Sequence, residues 1–288
     1  MAKTDPKTAA APSTEVAVKS NTDLALNEQY ADYAGSGFEN QTSDDYAIPF
    51  IGILQALSPQ VAENAALRQG MLINTVTGEI FEGSVGIAFI PATTQHLFVE
   101  WKPREKGGGF VGIHQPGSDV VKAALAASTS YGDYRVSPHD PKESNELIET
   151  FYVYGVAIDA DGNSIESVLA FTSMKIKKYK GWMTKAKTIQ IPLPNGRRIP
   201  APLFAHRYRL KTVQEKNPKG SFYNWDITFD GENAMACRLL PSDPLFQQAV
   251  SVKKMIEDGT ARAANESLAP GAGSDDQTSG AAPGKPVF

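Results

Sequence analysis

TSMKIKKYKGWMTKAKTIQIPLPNGRRIPAPLFAHRYRLKTVQEKNPKGSFYNW, residues 172–225, is the stretch on which the reading of this chain turns. It holds nine Lys and four Arg against one acid, Glu215, a formal charge of +12. The whole chain of 288 residues carries 28 basic and 32 acidic side chains, so everything outside the stretch sums to −16. Rings are interleaved with the cations: Tyr179, Trp182, Phe204, Tyr208, Phe222, Tyr223 and Trp225. Cations along a groove track a phosphate backbone, and exposed rings stack on bases. The competing reading is that the rings belong to a β-domain core and the lysines to a solvated face.

Within the stretch, the spacing predicts a helix over 173–188. Lys175, Lys178, Trp182 and Lys185 fall at i, i+3, i+7 and i+10 and share one face, with Lys180, Thr184 and Lys187 in a second row. Gly181 weakens that helix by about 1 kcal/mol relative to Ala. Pro194-Asn195-Gly196 makes a turn. From Phe204 the pattern changes to period two, with Phe204, His206, Tyr208 and Leu210 against Ala205, Arg207, Arg209 and Lys211. After a turn at Lys216–Gly220, the returning strand sets Tyr223, Trp225 and Ile227 against Phe222, Asn224 and Asp226. The first set reads as core and Phe222 as surface.

Upstream, the chain reads as β from Gly70. MLINTVTGEIFEG is strand, Thr77-Gly78 turn, strand. VGIAFIP (85–91) and HLFVEW (96–101) read as two more strands. Lys102, Arg104 and Gly107-Gly108-Gly109 form either a basic, flexible lid beside Trp101 and Phe110 or a plain hairpin loop. Residues 115–147 read as a loop-rich insertion with a helical patch at 120–127. A hairpin follows, with strands at 147–158 and 164–171 around Asp159-Ala160-Asp161-Gly162. Ser242-Asp243-Pro244 opens a last helix, 245–256. Before all of these, Asp44-Asp45 and Pro49 precede an apolar run read as a short helix, 50–57, docked on the domain or serving as a subunit contact in a homo-oligomer.

The fold class expected is mainly β (α+β). Three strands, a helix and two strands match an OB-like antiparallel barrel with one helix between strands, whose face binds oligonucleotides. An SH3-like barrel or another α+β fold gives the same string. Residues 44–258 form a single OB-like domain in this reading. Residues 1–43 and 259–288 are expected to be disordered or flexible tails, because they lack the apolar groups that offset ordering entropy.

Several chemistries find no footing. Cys237 stands alone, so the chain forms no internal disulfide, as in a reducing cytoplasm. The four His (His96, His114, His139, His206) are scattered, and no zinc pattern exists. Asp159, Asp161 and Asn163 resemble the opening of an EF-hand, but Ala170 stands where the twelfth-position Glu belongs, so a turn is expected. The triple glycine has no following Lys-Ser/Thr pair, and no nucleophile motif occurs. A non-enzymatic protein without cofactor or metal is expected. No apolar leader or membrane span is visible, which points to a soluble, intracellular protein.

AIPFIGILQALSPQV, GMLINTVTGEIFEG, FVEWKPREKGGGFVG, FTSMKIKKYKGWM and APLFAHRYRLKTVQEKNPKGSFYNW together resemble a family of bacteriophage proteins of replication and recombination modules. The resemblance covers residues 44–230 and implies single-stranded DNA binding with phage replication or recombination proteins as partners. The terminal Phe288 matches the partner-recruiting tail of such proteins, but the last ten residues carry Lys285 and no acid. On this reading the DNA-binding residues are Lys175, Lys177, Lys178, Lys180, Trp182, Lys185, Lys187, Arg197, Arg198, Arg207, Tyr208, Arg209, Lys211, Phe222 and Trp225. Trp101, Lys102 and Arg104 join them from the glycine loop. The alternatives are a structural or replisome interaction protein of a phage and a DNA-processing nuclease.

Overall fold

The apolar runs at 87–101 and 147–158 are too long and too continuous for strands buried on one face only, and both become long central strands covered on both sides. The computed structural model describes residues 46–137, 144–218 and 220–268, with Tyr33, Ser36 and Gly37. Two compact units are distinguished, 1–41 and 42–288, and every element below belongs to the second.

In chain order the strands are β1 (Ala47–Ile48), β2 (Ile51–Ile53), β3 (Leu72–Asn74), β4 (Ile80–Phe81), β5 (Ile87–Trp101), β6 (Phe110–His114), β7 (Glu146–Ile158), β8 (Ser164–Thr172), β9 (Gln190–Pro192), β10 (Arg198–Pro200), β11 (Tyr208–Asn217), β12 (Gly220–Phe229) and β13 (Arg262–Ala263). The helices are α1 (Pro59–Glu63), α2 (Asp119–Ala127), α3 (Lys175–Thr188) and α4 (Pro244–Glu257). The main sheet is antiparallel, in the order β12-β11-β5-β7-β8, with β6 also on β5.

This sheet is strongly curled. Strands lie about 4.8 Å apart, so the edges β8 and β12 of a flat sheet would be roughly 19 Å from each other. Yet the ring of Phe171 on β8 lies 6.4 Å from that of Trp225 on β12. The concave side holds an aromatic core of Phe89, Phe151, Phe171, Tyr208 and Trp225, into which α3 inserts Ile176, Trp182 and Ala186. The convex side carries Tyr152, Tyr154, Val156 and Val168, covered by Ala249, Val252 and Ile256 of α4.

The edges do not hydrogen-bond to each other, so the barrel expected from sequence is an open curl and no closed barrel forms. What spans the gap is the segment expected to be a helix at 50–57. It is extended instead, with β2 pairing β3. At one end the Val168 N–H of β8 donates to the Pro49 carbonyl (2.9 Å). At the other, the Gln55 side chain takes the place of a strand. Its Nε2 donates to the Tyr223 carbonyl (2.8 Å), and its Oε1 accepts from the Tyr223 N–H (2.9 Å). The β-branched Ile51 and Ile53 are buried on one side of this clasp, which favours an extended backbone over a helix.

Three other expectations change. The two strands read at 85–91 and 96–101 are one strand, bulged between Pro91 and Thr93. The glycine lid is a tight hairpin turn with Gly107, Gly108 and Gly109 all at positive φ. Its Lys102 N–H donates to the Gly109 carbonyl (2.9 Å). The folded region also reaches past 258: β13 pairs β1, and Asn265 is buried, accepting from the Tyr152 hydroxyl (2.6 Å). Residues 1–32, His139 and 269–288 lie outside the described residues. The β3–β4 turn, the hairpin β7–β8, and α2, α3 and α4 stand where the sequence placed them. The Asp159 Oδ1 accepts from the N–H groups of Asp161 and Asn163, an Asx turn rather than a calcium loop.

Gln55→Ala should cost about 1–3 kcal/mol, since two polar groups on the β12 edge lose their partners; urea unfolding measures it. His206 is buried, and burial with the nearby Arg238 charge holds its imidazole below the usual range. The fold therefore resists a proton that the unfolded chain accepts near pH 6.5, its unperturbed value. Thermal stability should fall as pH drops below that value, and His206→Gln should flatten this acid limb in a melting series.

Candidate nucleic-acid interface

Helix α3 buries Ile176, Trp182 and Ala186, with Tyr179 and Met183 half-buried beside them. This inner stripe follows helical spacing and sets which cations face solvent. Lys177, Lys180, Lys185 and Lys187 are exposed. Of the row that joined Trp182 to Lys175, Lys178 and Lys185 in the sequence reading, Lys185 is exposed and the other two lysines are half-buried, but Trp182 is sealed inside. Trp182 packs at ring distances of 5.2 Å from Tyr208, 6.2 Å from Phe171 and 6.4 Å from Phe89.

The start of α3 breaks the usual helix rules. Ser173 has φ 46°, a left-handed conformation rare outside glycine. No side chain caps the helix, no acid stands in its first turn, and Lys175, Lys177 and Lys178 crowd the positive end of the helix dipole. Lys185 and Lys187 near the other end are favourable to it. The chain then passes directly into the β9–β10 hairpin, where Arg197 and Arg198 are exposed. No Asp or Glu occurs between Glu166 and Glu215. Lys177, Lys180, Lys185, Lys187, Arg197 and Arg198 thus form a run of exposed cations with no carboxylate at ion-pair distance among the described residues, Lys177 alone lying close enough to Glu215 to help stabilise its charge.

The remaining cations do not join them as free charges. Arg207 and Arg209 both bind Asp230: Arg207 Nε lies 2.5 Å from Oδ2 and Arg209 Nη2 lies 2.6 Å from Oδ1. Lys178 Nζ lies 2.7 Å from Glu215 Oε1, whose other oxygen accepts from Asn224 Nδ2 (2.8 Å). Burial opposes the charge on Glu215, but these bonds outweigh it and hold the carboxyl below its usual range. Lys211 stands opposite Asp226, and Lys175 is half-buried. Lys102 and Arg104 are exposed on the β5–β6 hairpin. That hairpin is at the far end of β5 from the β11 pairing at 87–89, roughly 40 Å along the strand.

The rings are the larger correction. Trp101, Trp182, Tyr208 and Trp225 are each under 5% exposed and cannot present a face to a base. Trp101 packs edge-on against Phe110, and burial pushes the Tyr208 hydroxyl up to about 12. Phe222 is half-buried on the other side of β12 from Trp225, as its alternation implied.

Sequence reasoning passed over a second set of rings. His96 on β5 stacks on Phe151 of β7, with centroids 4.2 Å apart and planes 5° apart. Phe151 stacks in turn on Tyr179 of α3 at 4.5 Å, and Lys180 Nζ lies 5.8 Å from the Phe151 ring centre. The bulge at 91–93 turns His96 to this concave side, a change of parity that carries no signal in the local pattern.

No group of three or more His, Cys, Asp or Glu among the described residues could hold a metal ion. No helix among them is long and apolar enough to cross a membrane, which leaves β-barrel crossing untouched. Asp230→Asn should destabilise the fold by about 1–3 kcal/mol in urea unfolding, because two guanidinium groups lose their paired carboxylate and Arg209 its charged acceptor. If Arg207 and Arg209 serve the fold alone, the variant's affinity for a polyanion such as heparin will equal that of the wild type.

No curated protein and no solved structure matches the chain. A family model does, over residues 18–262, and the chain therefore belongs to the Pam3 phage gp34-like protein family.

Proposed function

We propose that this phage protein binds single-stranded DNA without sequence preference, as a non-enzymatic component of replication or recombination. Phosphates would be held by α3 and the hairpin after it. The observation that carries the reading is the exposed run Lys177, Lys180, Lys185, Lys187, Arg197 and Arg198, set in a segment without acids on an otherwise acidic chain. Each cation that neutralises a phosphate releases counterions, and the entropy gained drives binding. The Lys-crowded, uncapped start of α3 supports it too. A sequence that gives up helix stability there has placed its charges for something other than the fold.

The curled sheet is read as OB-like, with β5, β7 and β8, then α3, then β11 and β12, a connectivity compatible with a partly open five-stranded barrel. In OB-folds the face of the second and third strands contacts oligonucleotides. Here the convex side is covered, β5 and β7 by α4 and β8 by the segment from β1 to Phe50, so the proposed contact moves to α3 and the β9–β10 hairpin. A second reading, an interaction protein whose cations dock an acidic protein partner, is favoured by the sealing of Trp101, Trp182, Tyr208 and Trp225.

Fluorescence anisotropy with labelled oligo-dT and a duplex of equal length decides between them. Tighter binding to oligo-dT is expected, weakening with log salt at about −0.7 per phosphate contact. Lys177→Glu/Lys180→Glu/Lys187→Glu should lower the affinity and flatten that slope. No binding at low salt would discard the reading in favour of the interaction protein.

A further inference from the structure

The long strands β5 and β7 run on beyond the aromatic core, and their concave side there is left partly uncovered between α3 and the loop after α2. His96 lies on it, seated on the buried Phe151 that Tyr179 of α3 covers from the other side, with Tyr131 from the loop beside it. Tyr131 is 77% exposed and the His96 side chain 39%. Neither ring is loose. Glu149 holds both by their polar edges: Tyr131 donates its hydroxyl to Oε2 (2.9 Å), and His96 Nε2 lies 3.0 Å from Oε1. The Glu149 charge is thereby engaged from two sides, and the rings are oriented before any ligand arrives.

One end of this strip meets the cationic helix, where Tyr179 stacks on Phe151 and Lys180 lies over the same ring. The other end continues through Phe98 and Tyr134 to Tyr131. A fold that merely needed apolar filling would have no use for an exposed tyrosine fixed by its hydroxyl, nor for a histidine stacked face to face on a phenylalanine. Two exposed flat rings, Tyr131 and His96, near the exposed cations of α3 match the alternation of base and phosphate in a single strand.

We propose that Tyr131 and His96, the latter backed by the buried Phe151 and its stacking partner Tyr179, form a base-stacking site for single-stranded nucleic acid, with its phosphates running along the Lys177–Lys180 side of α3. The site rests on the nucleic-acid reading above and supplies the base platforms that the buried tryptophans do not. It also predicts a preference for single strands, because paired bases cannot turn their faces to the strip.

The test compares oligo-dT with an abasic oligonucleotide of equal length and charge, using the full chain and the variants Tyr131→Ala and His96→Ala. The wild type should bind oligo-dT at least about 5-fold more tightly than the abasic strand. Each variant should lose about 5- to 100-fold on oligo-dT while its abasic affinity and salt slope stay unchanged. Unchanged melting temperatures, expected at such exposed positions, would separate lost stacking from lost fold. Equal wild-type affinity for both strands, or variants that bind oligo-dT like the wild type, would overturn the stacking site and leave phosphate binding standing. Binding to neither strand would overturn both.

Discussion

The contact of Phe171 with Trp225 constrains the molecule more than any other, because it joins the two edges of a five-strand path. Bulky rings on the concave side can escape water together only if the sheet rolls up around them. Rolling leaves a seam between β8 and β12. The Ile48–Gln55 clasp meets the backbone of both edges across that seam, and α3 adds Trp182 to the interior. The exposed strand edges that make open sheets prone to unwanted pairing are thereby covered. α4 then closes the convex face, so that β7 is buried on both sides.

That economy of apolar surface explains the fate of the charges. On β11 the ring of Tyr208 alternates with Arg209 and Lys211, and the interior took the ring as it took Trp225 of β12. The cations left on the outer side of β11 then met acids from neighbouring turns, above all Asp230, and became part of the fold. α3 differs, since a single helix lying in the seam shows one stripe inward and the rest outward. With no acid in reach of most of its lysines, the outward part remains strongly positive. Charge in this stretch is therefore sorted largely by position: Arg207 and Arg209 are paired with Asp230 and Lys178 ties α3 to Glu215 of β11, while the other exposed cations of α3 and the hairpin after it have no carboxylate at ion-pair distance among the described residues.

Much of the fold was legible in the residues. The helical spacing of α3, the Asx turn between β7 and β8, the Ser-Asp-Pro start of α4 and the alternation in β11 and β12 all depend on neighbours in sequence, and each stands where it was read. The clasp was misread because an apolar run of eight residues fits helix and strand alike, and Gln55 pairs with a backbone some 170 positions away. The candidate site was legible in its cations but not in its rings. Trp182, Tyr208 and Trp225 look the same in sequence whether they face solvent or core. His96, Phe151 and Tyr131 lie far apart in the chain and meet only because β5 pairs with β7.

The chain alone determined where elements begin and end and where positive charge is concentrated, since both follow from residues within a few positions of one another. Tertiary structure alone decided which side of each strand faces the interior past a bulge, which cations find an acid, and which rings stay open. Those outcomes depend on long-range register, and a one-residue slip at Pro91–Thr93 reverses the assignment of every side chain that follows on β5.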